Sequence, residues 1–202
     1  NNHVAIYRRS FTLDRPLAAT LENGGTVSVT FHGMATAIYV WLNGIFVGYG
    51  EDGFTPNEFD ITEALNVDGT NVLTVACYEY ASASWLEDQD FWRLHGLFRS
   101  VELAAQPRVH VETVQIEADY NPSTAAGTLN ATLQLRNAND AATVKAKLRD
   151  ANGTVVWEST QCANETITLN SGALKNIAPW SAEEPTLYEL TVLVVGHDGP
   201  LV

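Results

Sequence analysis

Apolar residues in this 202-residue chain recur at every second position, and the 3.6-residue spacing of an amphipathic helix is almost absent. A chain patterned this way is driven towards sheets, because alternate side chains of a strand point to opposite faces and one face can be buried. Runs over 4–13, 26–31, 37–42, 45–49, 72–80 and 98–104 read as strands. In the run 72–80, Leu73, Val75 and Cys77 share one face while Val72, Thr74, Ala76 and Tyr78 share the other. Both faces are apolar enough to be covered, as a sandwich interior requires. Turn residues punctuate the runs: Asn23-Gly24-Gly25, Asn43-Gly44, Asp52-Gly53 and Asp68-Gly69-Thr70-Asn71. Asn43-Gly44 predicts a type I′ hairpin between two strands, and residues 62–65 leave room for a single helical turn.

The first set of strands stops around Ala104-Ala105-Gln106-Pro107, where Pro107 fixes its own φ and pushes Gln106 towards an extended conformation. The expected organisation is therefore two domains, 1–104 and 105–202. Alternation resumes over 109–118, 128–136, 143–149, 154–159, 166–169 and 187–195, with Asp150-Ala151-Asn152-Gly153 as a hairpin turn. Short strands at this spacing suggest an immunoglobulin-like sandwich without the cysteine pair of antibody domains. The fold class is all-β.

A formal charge of −13, with only 11 lysines and arginines, argues against nucleic acid, whose binding depends on cations that displace phosphate counterions. An anionic membrane surface is disfavoured for the same reason, and no apolar run approaches the roughly 18 residues that span a bilayer. A neutral ligand, a cation or another protein remains. Cys77 and Cys162 fall in different predicted domains, so both are read as buried thiols rather than a disulfide. The five histidines show no metal-binding spacing and are read as solitary. No Gly-X-Ser-X-Gly elbow or glycine-rich phosphate loop is present. Sequons at Asn130, Asn152 and Asn164 are short enough to arise by chance and do not establish secretion. The opening at Asn1 and the close at Leu201-Val202 look like the edges of a piece cut from something longer.

Chemistry concentrates in Ser84-Trp85-Leu86-Glu87-Asp88-Gln89-Asp90-Phe91-Trp92-Arg93, which crowds three carboxylates and two indoles between two strands. Like charges this close repel, and Trp85 and Trp92 favour burial, so such a loop calls for a ligand, a cation or Arg93 to offset the repulsion. The plain alternative is that Trp85 and Trp92 cap a core while the acids are solvated. Paired carboxylates also serve glycoside hydrolysis, but neighbours on one extended loop point apart instead of flanking a scissile bond. Binding is the stronger reading. A carboxylate accepts hydrogen bonds from sugar hydroxyls and suits a hard cation such as sodium, calcium or magnesium, while an indole offers a flat surface to a pyranose.

The run Asp88-Gln89-Asp90-Phe91-Trp92-Arg93, followed by Gly96-Leu97-Phe98-Arg99, resembles the hallmark of the sugar-binding domain in glycoside hydrolase family two, the β-galactosidase family. Further matches are Trp41-Leu42-Asn43-Gly44, Val47-Gly48-Tyr49-Gly50, Glu58-Phe59-Asp60-Ile61-Thr62, Pro179-Trp180-Ser181-Ala182-Glu183 and Pro185-Thr186-Leu187-Tyr188, so the resemblance covers essentially the whole chain. It implies a jelly-roll sugar-binding domain over 1–104 and an immunoglobulin-like domain over 105–202, both preceding a catalytic TIM barrel that lies beyond this chain. No catalytic residue is then expected here. The resemblance implies that Asp90 contacts galactose hydroxyls and ligates sodium once that barrel is present, with Asp88, Trp92 and Arg93 as companion sugar-binding residues. It implies no cofactor in this piece alone, sodium and magnesium in the parent enzyme, and a parent that is a homo-oligomer hydrolysing terminal β-galactosides such as lactose with retention. The bacterial cytoplasm is the expected location, with secretion left open. Two departures stand out: no counterpart exists for a sugar-binding asparagine upstream of the first strand, and Ala81-Ser82-Ala83-Ser84 lacks the Asp-Gly common before the motif.

Two alternatives carry different expectations. In one the chain is a self-sufficient carbohydrate-binding module, with Trp85 and Trp92 as an open stacking platform. In the other it forms the structural, subunit-contacting domains of a β-glucuronidase-like hydrolase, with Trp92 in the core and Arg93 paired internally.

Overall fold

The computed structural model describes residues 1–86, 90, 92, 94–140 and 143–196, and falls into two compact units, Asn1–Pro107 and Arg108–Val202. Each is a sandwich of antiparallel strands. The first contains β1 (Val4–Phe11), α1 (Arg15–Glu22), β2 (Thr26–Phe31), β3 (Met34–Ala35), β4 (Ala37–Leu42), β5 (Ile45–Gly50), β6 (Asn57–Asp60), β7 (Asn71–Tyr78), β8 (Gly96–Leu97) and β9 (Val101–Gln106). One sheet runs β1-β7-β4-β5, the other β6-β2-β9, and β3 pairs with β8. Their facing side chains form one core, in which Val27, Val29 and Phe31 of β2 meet Ile38, Val40 and Leu42 of β4 and Val75 and Cys77 of β7. β7 lies between β1 and β4, which explains why Ala76, on its second face, is also buried. β9 continues through Gln106, two residues past the strand limit expected at 104.

Asn43 and Gly44 both take positive φ, 53° and 83°, and Leu42 pairs with Ile45 across the tight turn predicted for them. Asn43 also fastens the hairpin to the neighbouring turn. Its Nδ2 donates to the carbonyl of Ala64 and to Asn71 Oδ1, both at 2.8 Å, and its Oδ1 accepts from the Val72 amide at 2.8 Å.

The sequence reading missed α1. Asp14 caps it, with Oδ1 accepting from the Leu17 amide at 3.0 Å, and Pro16 occupies the first turn where a missing amide costs nothing. Asn23, read as a strand turn, closes the helix instead, donating from both its backbone and its side chain to the Ala19 carbonyl. Leu17 and Leu21, four apart on one face, pack on the core.

The second unit contains β10 (His110–Asn121), β11 (Ala126–Arg136), β12 (Thr143–Arg149), β13 (Val155–Cys162), β14 (Thr166–Asn170), β15 (Leu174–Lys175) and β16 (Glu189–Val195). Sheets β10-β11-β14 and β13-β12-β16 enclose Ala131, Leu133, Leu135, Val144, Ala146, Ile167, Leu169 and Val194. Cys77 is buried and its thiol pKa is pushed up by that burial. Cys162, expected to be buried, is exposed, because alternation near the end of β13 turns it outward.

Candidate functional site

Residues 79–95 connect β7 to β8, and the chain fixes both ends of this loop by short-range chemistry. At its start, Asn2 imitates a strand partner: its Nδ2 donates to the Tyr80 carbonyl at 2.7 Å and its Oδ1 accepts from the Tyr80 amide at 2.9 Å. The Glu79 amide donates to the His3 carbonyl, and the Glu79 carboxylate lies 2.5 Å from His3 Nδ1. That bond, together with the charge of His3, holds the Glu79 carboxyl below the usual carboxylate range. His3 stacks on His95 at the far end of the loop, so these two histidines are not solitary. His32 and His110 also have carboxylate neighbours, Glu102 at 3.1 Å and Glu112 at 3.0 Å. His197 lies outside the described residues.

A 3₁₀ turn over Ser82–Trp85 follows, and Ser84 Oγ accepts from the Ala81 amide at 2.9 Å. At the return, Gly96 and Leu97 pair with Ala35 and Met34, and the Leu97 amide donates to the Tyr7 hydroxyl at 3.3 Å. Gly96 has φ +124°, and a Cβ there would stand 2.6 Å from the Tyr7 oxygen, so no other residue fits.

Between these anchors four large apolar residues of the loop are turned outward. Trp85, Leu86, Trp92 and Leu94 are 86%, 87%, 85% and 76% exposed, the four highest values among the large hydrophobic side chains described. Trp92 is therefore not core, and the idea that Trp85 and Trp92 cap one is overturned. Asp90, between them, is also exposed. Glu87, Asp88 and Arg93 lie outside the described residues. The arrangement offers an open carboxylate, able to accept from hydroxyls or meet a hard cation, and two exposed indoles in the same loop.

The remaining sequence motifs hold the scaffold. Asp60 Oδ1 accepts from the Thr62 amide at 2.9 Å, and Thr62 Oγ1 from the Val27 amide at 2.9 Å. Arg99 donates to the carbonyls of His32 and Phe54 at 3.1 and 2.9 Å and lies over the Phe98 ring. In the second unit, Tyr188 Oη accepts from the Ala178 amide at 3.0 Å. A cavity of about 640 Å³, lined among others by Tyr7, Phe11, Phe31, Val101 and Leu103, opens in the first unit without Asp90 or Trp92 in its walls. Among the described residues there is no group of three or more His, Cys, Asp or Glu able to hold a metal ion, and no helix is long and apolar enough to cross a membrane.

Residues 1–107 match the model of the glycosyl hydrolases family 2 sugar binding domain, and residues 109–202 match a second model of glycosyl hydrolases family 2. The chain is 68% identical over 216 aligned residues to the beta-galactosidase BgaC of Bifidobacterium adolescentis, covering 100% of this chain and 21% of that protein. It is 46% identical over 200 residues to a beta-galactosidase of Streptococcus thermophilus, covering 98% and 19%. The chain thus spans about a fifth of the length of these curated relatives. Among solved structures, a beta-glucuronidase of Bacteroides uniformis superposes with a TM-score of 0.85 at 20% identity, over 100% of this chain and 25% of that one. A beta-glucuronidase of Bifidobacterium dentium gives 0.80 at 22%, over 98% and 38%. At such identities the likeness establishes the fold alone, and the family rests on the two models, which between them account for nearly every residue. The chain belongs to glycosyl hydrolases family 2.

Proposed function

We propose that this chain is the non-catalytic N-terminal portion of a β-galactosidase and that its 79–95 loop completes an active site built mainly by a barrel further along the polypeptide. The outward-facing set Trp85, Leu86, Trp92 and Leu94 around Asp90 carries the proposal. Burying a single large apolar side chain contributes about 1.5–3 kcal/mol. A loop anchored at both ends and apolar at its surface is built to be covered by another surface, which brings Asp90 against that surface's contents. There the Asp90 carboxylate accepts from sugar hydroxyls, while Trp92 shields the contact from water. In the parent, two glutamates of the barrel protonate the leaving oxygen and attack the anomeric carbon, giving retention with terminal β-galactosides such as lactose. Asp88 and Arg93 assist sugar binding.

Asp90 also fits a sodium ion as one hard oxygen donor. Among the described residues no cluster of three or more His, Cys, Asp or Glu surrounds it, and in this reading the barrel contributes ligands, with magnesium belonging to the parent on the same terms. The ion would neutralise part of the carboxylate charge and fix its orientation.

The test joins this chain to the remaining four-fifths of the Bifidobacterium adolescentis relative and measures hydrolysis of a chromogenic β-galactoside. The chain alone turns over nothing; the joined protein is active; and Asp90→Ala lowers its kcat/KM about 10- to 100-fold, the worth of one charged hydrogen bond. Turnover by the isolated chain, or an Asp90→Ala variant with full activity, refutes the proposal.

The same exposure of Trp85 and Trp92 favours a second reading, a self-sufficient carbohydrate-binding module. It requires measurable heats when the isolated chain is titrated with galactose or lactose, where the first reading expects none.

A further inference from the structure

We propose that Glu51 is a positioning residue for the Asp90 loop, a strut that ties the loop's first turn to the end of β5. The inference stands on geometry in the first unit, and only its activity arm rests on the function proposed above.

Glu51 directly follows β5 and gathers three donors from two parts of the chain. From the loop, Ser82 Oγ donates to both carboxylate oxygens, at 2.8 Å to Oε1 and 2.6 Å to Oε2, and the Ala83 amide donates to Oε2 at 2.8 Å. From the sheet, the Tyr49 hydroxyl donates to Oε1. Tyr49 is itself held, with its ring 4.6 Å from that of Tyr39, which in turn lies against Trp41 and Tyr78. The carboxylate therefore connects an aromatic cluster on a four-stranded sheet to the turn that leads into the solvent-facing stretch. Charge-assisted bonds of this kind are shorter and about twice as strong as neutral ones. They hold the Glu51 carboxyl below the usual carboxylate range, so the strut is charged at neutral pH. Tyr49 is pushed up by burial and by its bond to Glu51, which keeps it a donor.

Ser82 and Ser84 take on a definite meaning here. The Ala81-Ser82-Ala83-Ser84 segment, which departs from the Asp-Gly of the family pattern, supplies one hydroxyl to Glu51 and one to the loop's own backbone. This chain secures the loop with a carboxylate and two serines.

The experiment is amide hydrogen exchange on the 202-residue chain, comparing peptides over residues 81–86 with a control peptide over β2. Glu51→Ala is expected to accelerate exchange in 81–86 at least tenfold with the β2 peptide unchanged. Glu51→Gln, which keeps an acceptor oxygen for Ser82 and Ala83, restores most of the protection. Ser82→Ala, which leaves the sheet untouched, produces a smaller acceleration confined to the loop and carries the test should Glu51→Ala not fold. Unchanged exchange at 81–86 in both Glu51→Ala and Ser82→Ala, or equal acceleration in the β2 peptide, overturns the strut. In the joined active protein, Glu51→Ala lowers kcat/KM, and adding it to Asp90→Ala costs nothing more, because the strut acts only through Asp90. A loosened loop with full activity, where Asp90→Ala is itself impaired, overturns the positioning role, whereas full activity in both Glu51→Ala and Asp90→Ala refutes the role given to Asp90 instead.

Discussion

Asn71 shows how this fold buries a polar side chain without leaving any of its bonding capacity idle. It is 0% exposed, yet its Oδ1 accepts from the Asn66 amide and from Asn43 Nδ2, both at 2.8 Å, and its Nδ2 donates to the Asn66 carbonyl at 2.9 Å. One amide thereby holds the 66–71 turn and the Asn43-Gly44 hairpin in a single arrangement. Removing it leaves interior donors and acceptors unpaired, at about 1–3 kcal/mol. Asn71→Ala should therefore lower the unfolding free energy of the first unit by that amount, read as a lower urea midpoint with no change in the denaturant slope; a midpoint within error of the parent's would show that the site relaxes and readmits water. Glu51 presents the opposite case: a half-buried side chain whose bonds fix a loop more than they stabilise a core.

At the scale of elements, α1 depends on its ends. It is eight residues long, below the length at which an isolated helix persists, so the Asp14 cap and the packing of Leu17 and Leu21 must hold it. Asp14→Ala should cost about 1 kcal/mol, read as a lower thermal midpoint, and Asp14→Ser should recover most of it; equal midpoints for both variants would show that packing alone suffices. The helix was readable in principle, since Asp14, Pro16 and Asn23-Gly24 form a start signal, an early proline and a stop, with eight residues between start and stop. It was missed because alternation dominates its neighbours and a two-turn helix yields little periodicity. β2, β4 and β12 were legible to the residue because alternation, turn chemistry and burial agree there. β6 was not, because its four residues, Asn57–Asp60, carry only one apolar side chain. The chemistry of the 79–95 loop was visible in its carboxylates and indoles. The outward pose of Trp85 and Trp92 was left open, because the preference of indoles for burial pointed one way and an open stacking platform the other. Glu51 was invisible for a different reason: the partners of a strut lie 31 and 32 residues away, and no short pattern encodes them.

For the whole molecule, 24 acidic against 11 basic side chains set the response to pH. Four carboxyls are held below their usual value by specific donors: Glu51 by Ser82, Tyr49 and the Ala83 amide, Asp52 by Thr55, Glu79 by His3, and, in the second unit, Glu112 by Arg136 and His110. A group whose folded pKa is depressed binds its proton more readily when unfolded. Its stabilisation is thus complete above the unfolded value, about 4.3 for Glu, and drains away as pH falls through the lower folded value. Near pH 5 the general repulsion of a chain at −13 has eased a little while these bonds persist, so stability should be level or slightly higher than at pH 7, then fall steeply below about pH 4. Urea midpoints across this range check the profile, and single substitutions divide it. Glu79→Gln should flatten the acid limb of the first unit and Glu112→Gln that of the second, each leaving the other unit's limb unchanged, because the two units have separate cores. Both limbs flattening together in either variant would show that the units unfold as one, and that the carboxylate bonds of each are felt throughout the chain.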